Sequence, residues 1–405
     1  MDDSLIQRFL SRVKLAAQPR LFIFACEKGR PLLRLLVLVG AILAGGCETV
    51  YFYSQATTGQ LKILAGRESI DRLVQEEQTD PKLRRQLEWV QSIRAYAAGE
   101  LHLPVGTAYS DFTQLEDEYV LYNVVAAPEF SLSPKRWCYP IAGCASYRGY
   151  FDKRDAQTQA GQLRAQGYDV YLGPVPAYST LGWFDDPVLS SFVDWKPDRL
   201  ASLLFHELAH RRVYIAGDTQ FNESFATAVS RIALPAWRKR NGIPAPRVAN
   251  VEQARRVNGL MVSARRQLQD IYRSDLTDDE KRERKANTLQ RLRHCYRKES
   301  EGWTQDEKFA QMIEKTNNAT LALVSEYQSQ VPAFVQLYKD SGSDWEAFYR
   351  AVEQLGAQSK AQRKAQLESL GKRAQTYQNK AQNHASSKKV TGPSLHSDTC
   401  MSAAN

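Results

Sequence analysis

The stretch His206-Glu207-Leu208-Ala209-His210 constrains this 405-residue chain more than any other. Histidines four residues apart lie on one face of an α-helix, one turn from each other, so both imidazoles reach a single point beside it. That spacing, with a carboxylate between, is the pattern of a catalytic zinc site. Glu207 is rotated about 100° from His206, near enough to act on a water at the metal without being a ligand. Leu203, Leu204, Phe205, Leu208 and Ala209 make the rest of the helix apolar, and Asp198, just after Pro197, is its expected N-cap.

Two imidazoles need a third ligand from nearby chain. Glu223, in Phe221-Asn222-Glu223-Ser224-Phe225-Ala226, is the best candidate. The first helix is expected to stop near Ile215, because Gly217 suits a C′ position, and Asp218 or Thr219 to cap a second helix running to about Leu234 before Pro235. In such a hairpin His210 lies about 7.5 Å before the turn and Glu223 about 6 Å after it, so their depths match. Phe221, Phe225 and Val229 form an i, i+4, i+8 stripe for packing on the first helix. The third-histidine arrangement fails locally, since Val213 and Ala216 stand where that pattern requires Gly and His. Asp218 and the distant His294 remain as alternatives.

Other segments carry a family likeness. With Tyr51-Phe52-Tyr53-Ser54-Gln55-Ala56, Cys138-Tyr139-Pro140-Ile141-Ala142-Gly143-Cys144, Tyr178-Ser179-Thr180-Leu181-Gly182-Trp183-Phe184 and the block from His206 to Ala226, the chain resembles a bacterial family of predicted zinc aminopeptidases within the zincin metallopeptidases. The likeness continues more loosely to Phe348-Tyr349. It implies zinc held by His206, His210 and Glu223, Glu207 as general base, and a peptide substrate. The chain has no Gly-x-Met-x-Asn stretch of the kind large aminopeptidases use beside their site. Endopeptidase action therefore stays open beside aminopeptidase action, as does an inactive metal-binding scaffold in the cell envelope.

Residues 1–36 carry a net charge of +4 and residues 359–405 a net of +6, leaving about −1 for the body out of the total of +9. A near-neutral body gives no reason to expect a nucleic-acid groove. Residues 1–46 read as a leader: Arg30 and Arg34 precede a short apolar run that ends in Ala44-Gly45-Gly46-Cys47. The run is too short to span a bilayer comfortably, which takes about 20 apolar residues. It resembles a bacterial lipoprotein signal with Cys47 as the lipidated residue; an uncleaved signal anchor is the alternative. Either way the body is expected in the cell envelope on the periplasmic side, and Glu48 suggests the outer membrane by resemblance to Gram-negative sorting.

Residues 47–358 are expected to form an α+β, mainly helical, zincin-like domain, with a sheet and metal-site part at 47–245 and a helical part at 246–358. Helical spacing runs from Ile70 to about Ala98 with a break at Asp80-Pro81, and strand-like segments lie at Tyr119–Ala126 and Tyr168–Leu172. A small sheet beside the active-site helix is the expected outcome, with Tyr178–Phe184 as a candidate substrate-binding edge. Tyr178, Tyr147 and Tyr150 are candidate oxyanion donors. Asp185 and Asp186 are candidates for holding a substrate amine. Cys138 and Cys144 flank a Pro- and Gly-containing loop that can bring them together as a disulfide. Beyond Pro246 the pattern is helical at Val251–Tyr272, Thr277–Lys298, Asp306–Tyr338 and Trp345–Leu355; the basic remainder, 359–405, is expected to be a disordered tail.

Overall fold

The computed structural model describes residues 46–139, 143–177, 185–303, 307–326, 330–386 and 400–401. The chain divides into two units, Met1–Ser54 and Gln55–Asn405. The first is described only from Gly46, where helix α1 (Gly46–Ala65) begins. The apolar run before Cys47 lies outside the described residues, and so does the candidate edge Tyr178–Phe184. Among the described residues no helix is long and apolar enough to cross a membrane.

Strand β1 (Arg67–Ser69) leads into α2 (Ile70–Gln75) and α3 (Pro81–Gly99). The break falls where Asp80-Pro81 requires it. Asp80 accepts the N–H groups of Lys82 and Leu83, both at 2.9 Å, and Pro81 takes the first helical position, where no N–H is needed. Next come β2 (Asp111–Thr113), β3 (Leu121–Ala127), β4 (Trp137–Tyr139), β5 (Gly143–Ala145), β6 (Arg148–Tyr150), α4 (Lys153–Ala165), β7 (Asp169–Val175) and β8 (Val188–Leu189). Both strand-like segments are strands, paired antiparallel with Val124 opposite Leu172. They form a sheet of order β6-β3-β7, and α4 and α11 (Asn318–Glu326) pack on it, so Val124 through Ala127 are buried consecutively rather than alternately. The hairpin β4-β5 sets Cys138 directly opposite Cys144, and the two form a disulfide.

The remainder is helical: α5 (Ser190–Val193), α6 (Pro197–Arg212), α7 (Thr219–Arg240), α8 (Val248–Arg273), α9 (Asp278–Glu299), α10 (Glu307–Glu314), then α11, α12 (Val331–Asp340), α13 (Trp345–Gly356) and α14 (Lys360–Ser386). The fold is thus mainly helical α+β. The long segment expected as one helix from Asp306 to Tyr338 is divided among α10, α11 and α12. The sheet expected beside the His206 helix is not β6-β3-β7: α6 packs on α7 and α3, and the strands sharing its core are β2 and β8, through Phe112, Val188 and Leu189.

Two main cores divide the helices differently from the sequence reading. One gathers α3, α6, α7, α12, α13 and Leu367 and Leu370 of α14; the other gathers α8 and α9 with Leu132, Ile313, Leu321 and Met401. Residues 331–370 therefore return to the core of the His206 helix instead of continuing a separate helical part. The expected disordered tail is a correction too. Residues 360–386 are helix α14, packed on α12 through Leu367, Leu370 and Ala374, a one-sided i, i+3, i+7 stripe narrow enough to be hidden among Gln, Lys and Ala. Farther on, Cys400 is disulfide-bonded to Cys295 of α9, and Met401 is fully buried.

Candidate metal centre

Helix α6 starts two residues earlier than its sequence suggests: Lys196 is the N-cap and Pro197 the first helical residue. Asp198 instead receives a hydrogen bond from Arg238 of α7 at 2.7 Å, which ties the two helices together. The helix ends at Arg212, not Ile215, with Val213 in extended conformation. Gly217 has φ +77°, the left-handed backbone that glycine adopts without a Cβ penalty, and Asp218 is the N-cap of α7. Helix α7 does not stop before Pro235 but runs through it to Arg240. Its continuation buries Trp237 completely, against Trp89 and Phe205, which offsets the hydrogen bond that proline removes.

The turn between α6 and α7 is closed by a side chain. Asn222 donates through Nδ2 to the Ile215 carbonyl and accepts the Ile215 N–H at Oδ1, both at 2.8 Å. Glu223 follows immediately. Phe225, on the same stripe as Phe221, is buried and packs against Phe334 of α12 and Phe348 and Tyr349 of α13. Facing helices then bring His206, His210 and Glu223 together, with one ligand atom from each lying within 4.8 Å of the others. The two Nε2 atoms are 3.2 Å apart; Glu223 Oε2 lies 3.2 Å from His206 Nε2, and its Oε1 lies 3.6 Å from His210 Nε2. Such a cluster of acceptor atoms can hold a divalent cation. Thr227 Oγ1 stands 3.5 Å from His206 Nδ1, on the side of the ring away from the cluster, whereas His210 Nδ1 is buried with no hydrogen-bond partner among the described residues.

Electrostatics sets these groups apart from one another. Burial and then the neighbouring His206 lower His210 to about 4, so it is neutral near pH 7. Burial also works to lower His206, but the hydrogen bond to Glu223 and the charges of Glu207 and Glu223 outweigh it and raise the ring. Glu223 is held below its ordinary value because the two histidines overcome its own burial. Glu207 is the reverse case: burial, with Glu223 and Asp186 adding to it against His206, raises its carboxyl to about 7. A carboxyl poised near neutrality can both take and give a proton.

Two of the three tyrosine candidates are elsewhere. Tyr150 donates to Gln159 at 2.9 Å from strand β6, and Tyr147 packs with Val125, Ala127 and Ala319 beside the sheet. Tyr178 lies outside the described residues. Of the paired acids, Asp185 is engaged: its carboxylate accepts from Thr107 and from Arg211 of α6 at 3.3 Å, and its carbonyl accepts from Arg67. Asp186 is buried, and its charge reaches Glu207.

Two tyrosines that sequence reasoning missed stand closer to the cluster. Tyr109 is buried with a left-handed backbone at φ +58°, an arrangement that persists only where surrounding structure enforces it. Its N–H donates to the Asp186 carbonyl at 2.7 Å; burial, then the Glu207 and Asp186 charges, raise its hydroxyl well above the ordinary tyrosine range. Tyr214, two residues beyond α6, is half exposed and feels the Glu223 charge. Nothing in the local sequence around Tyr109 announces its conformation; Tyr214 was visible only as the residue before Ile215.

A family model described as "Putative aminopeptidase" matches residues 51–367, which include the metal cluster, Glu207 and the first turns of α14. No curated protein and no solved structure matches the chain.

Proposed function

Because the chain belongs to that aminopeptidase family, we propose that it hydrolyses peptide bonds with zinc held by His206, His210 and Glu223 and with Glu207 as general base. One observation carries the reading: two facing helices bring the histidine Nε2 atoms to 3.2 Å from each other and set a Glu223 oxygen against each, Oε2 at 3.2 Å from His206 and Oε1 at 3.6 Å from His210. Ligands about 2.0–2.2 Å from a tetrahedral zinc stand roughly 3.3–3.6 Å from each other, so the donor set fits that ion in both chemistry and spacing. The half-reach of Thr227 to His206 Nδ1 supports the tautomer that leaves Nε2 free as a ligand. The zincin-like character of the fold is part of the same reading.

Zinc, when bound, makes water more acidic and polarises a substrate carbonyl. Glu207 takes the proton of the attacking water and returns it to the nitrogen of the departing amine. Burial, which holds its carboxyl near neutrality in the metal-free site, suits it to that exchange. Tyr109, kept protonated by its surroundings, is a hydroxyl donor on the Glu207 side, and Tyr214 is one on the Glu223 side. For removal of N-terminal residues the chain must also recognise a free amine. Asp186, whose charge reaches Glu207, is the candidate acid for a cationic substrate end.

The same reading puts the protein in the cell envelope, anchored through Cys47. The disulfides Cys138–Cys144 and Cys295–Cys400 suit an oxidising compartment. Metal analysis of the purified protein followed by a peptide-library digest tests the core of the proposal. Stoichiometric zinc with cleavage one residue at a time from free N-termini supports it; a protein that takes up no zinc and cleaves nothing removes it.

A further inference from the structure

The helix that carries Glu223 is held at its first turn by a side chain 145 positions farther along the chain. Arg363 of α14 donates to Asp218 Oδ2 from Nε at 3.0 Å and from Nη2 at 2.7 Å. Its Nη1 donates to the carbonyls of Gly356 at 3.2 Å and Gln358 at 2.8 Å. Both side chains are enclosed, Arg363 at 7 % exposure and Asp218 at 12 %, and the guanidinium lies 5.4 Å from the centre of the Phe221 ring. With Oδ2 occupied by Arg363, Asp218 Oδ1 faces the Phe221 N–H and caps α7. The other strand of the turn meets the same region of the chain. Gly356 sits so close to Ile215 that an added Cβ would lie 2.6 Å from Ile215 Cδ1, and Ile215 is the residue Asn222 grips from the α7 side.

We propose that Arg363 is a positioning residue for the metal centre, fixing Asp218 and through it the first turns of α7, and hence the depth at which Glu223 meets His206 and His210. The inference rests on the zinc reading above. Glu223 is the fifth residue of α7, within the stretch whose geometry depends on the cap. A buried carboxylate deprived of its counter-charge must move toward water or become protonated, and either change releases the cap. Lysine cannot reproduce the arrangement, because one ammonium does not span a carboxylate and two backbone carbonyls as a planar guanidinium does.

The test is zinc affinity of the metal-free, full-length protein, measured with zinc alone in competition with a chromophoric chelator, at a temperature where circular dichroism shows each variant folded. Arg363→Gln is expected to bind zinc at least about tenfold more weakly, the size of effect usual for groups that orient ligands, and Arg363→Lys to lie between it and wild type. Asp218→Asn, which keeps a capping oxygen but loses the charge pair, should weaken binding too, and the double variant should lose little more than either alone. Lys285→Gln breaks a similarly enclosed pair away from the metal cluster, Lys285 of α9 with Asp169 of β7 at 2.8 Å. It should lower the melting temperature and leave zinc affinity as in wild type. Wild-type affinity in folded Arg363→Gln overturns the proposal; should that variant not fold, wild-type affinity in Asp218→Asn does so. Zinc uptake by the wild type separates this failure from failure of the metal reading, which would take the inference with it.

Discussion

Asn222 holds Ile215 by both backbone groups at 2.8 Å, so one amide side chain reinforces a turn between α6 and α7 whose own backbone adds only the Asp218 N–H, donating to the same Ile215 carbonyl at 3.2 Å. The relationship sets how far along α7 Glu223 stands when it faces His210. Asn222→Ala leaves the half-buried Ile215 N–H without its partner, while the carbonyl keeps the Asp218 N–H, and is expected to cost about 1–3 kcal/mol. Urea denaturation of the metal-free protein measures that loss, and weakened zinc binding by the folded variant should accompany it. Unchanged stability would mean that the turn closes by other means.

On the proposed reading the ligands and the base respond differently to substitution. His206→Ala, His210→Ala and Glu223→Ala should each lose zinc and activity together. Glu207→Gln should retain zinc and lose turnover by about 10²–10⁴-fold, with KM little changed. Zinc content and steady-state kinetics on the same preparations distinguish the two classes. A Glu223→Ala protein that binds zinc as tightly as wild type would remove Glu223 from the set.

Glu207 also makes a prediction about pH. Its folded pKa is raised from 4.5 to about 7, so the fold favours its protonated form. That contribution is fully present below about pH 4.5 and is lost as pH rises through about 7. In metal-free protein, therefore, Glu207→Gln should gain melting temperature relative to wild type as pH increases across this window. Thermal melts of both proteins at a series of pH values check it. A constant difference would show that folding leaves the proton affinity of this carboxyl unchanged.

Asp186 gives the test of exopeptidase action. N-acetylation of a good substrate should abolish cleavage, and Asp186→Asn should raise KM for free-amine peptides with little effect on zinc content. Asp185→Asn, by contrast, should act mainly through stability, because Asp185 is occupied by Arg211 and Thr107. Equal cleavage of acetylated and free peptides at internal bonds would identify an endopeptidase.

What could be read from sequence divides along a physical line. The His206 and His210 pair, the cap at Asp218 and the break at Asp80-Pro81 are local, governed by helical period and by the few side chains that satisfy helix ends. The pairing of β3 with β7 was implied by β-branched and aromatic runs, although which sheet would lie beside α6 was not. Features set by distant contacts were hidden. Pro235 argues for a helix end, and only the burial of Trp237 explains why the helix goes on. The left-handed Tyr109 depends on Asp186, far away in sequence. Helix α14 has so few apolar residues that composition alone suggests disorder; its order comes from α12 and from Arg363 meeting Asp218.

The Cys295–Cys400 bond closes a covalent ring of the intervening residues, and that ring contains α10 through α14. A protease that cuts a loop within it produces a nick and not a fragment: the two pieces migrate as one species until a reductant is added. The arm bearing Arg363 is then still tethered beside Asp218, at an effective concentration set by a short leash and not by dilution. Such a molecule tolerates a broken backbone without losing the part of itself that braces α7.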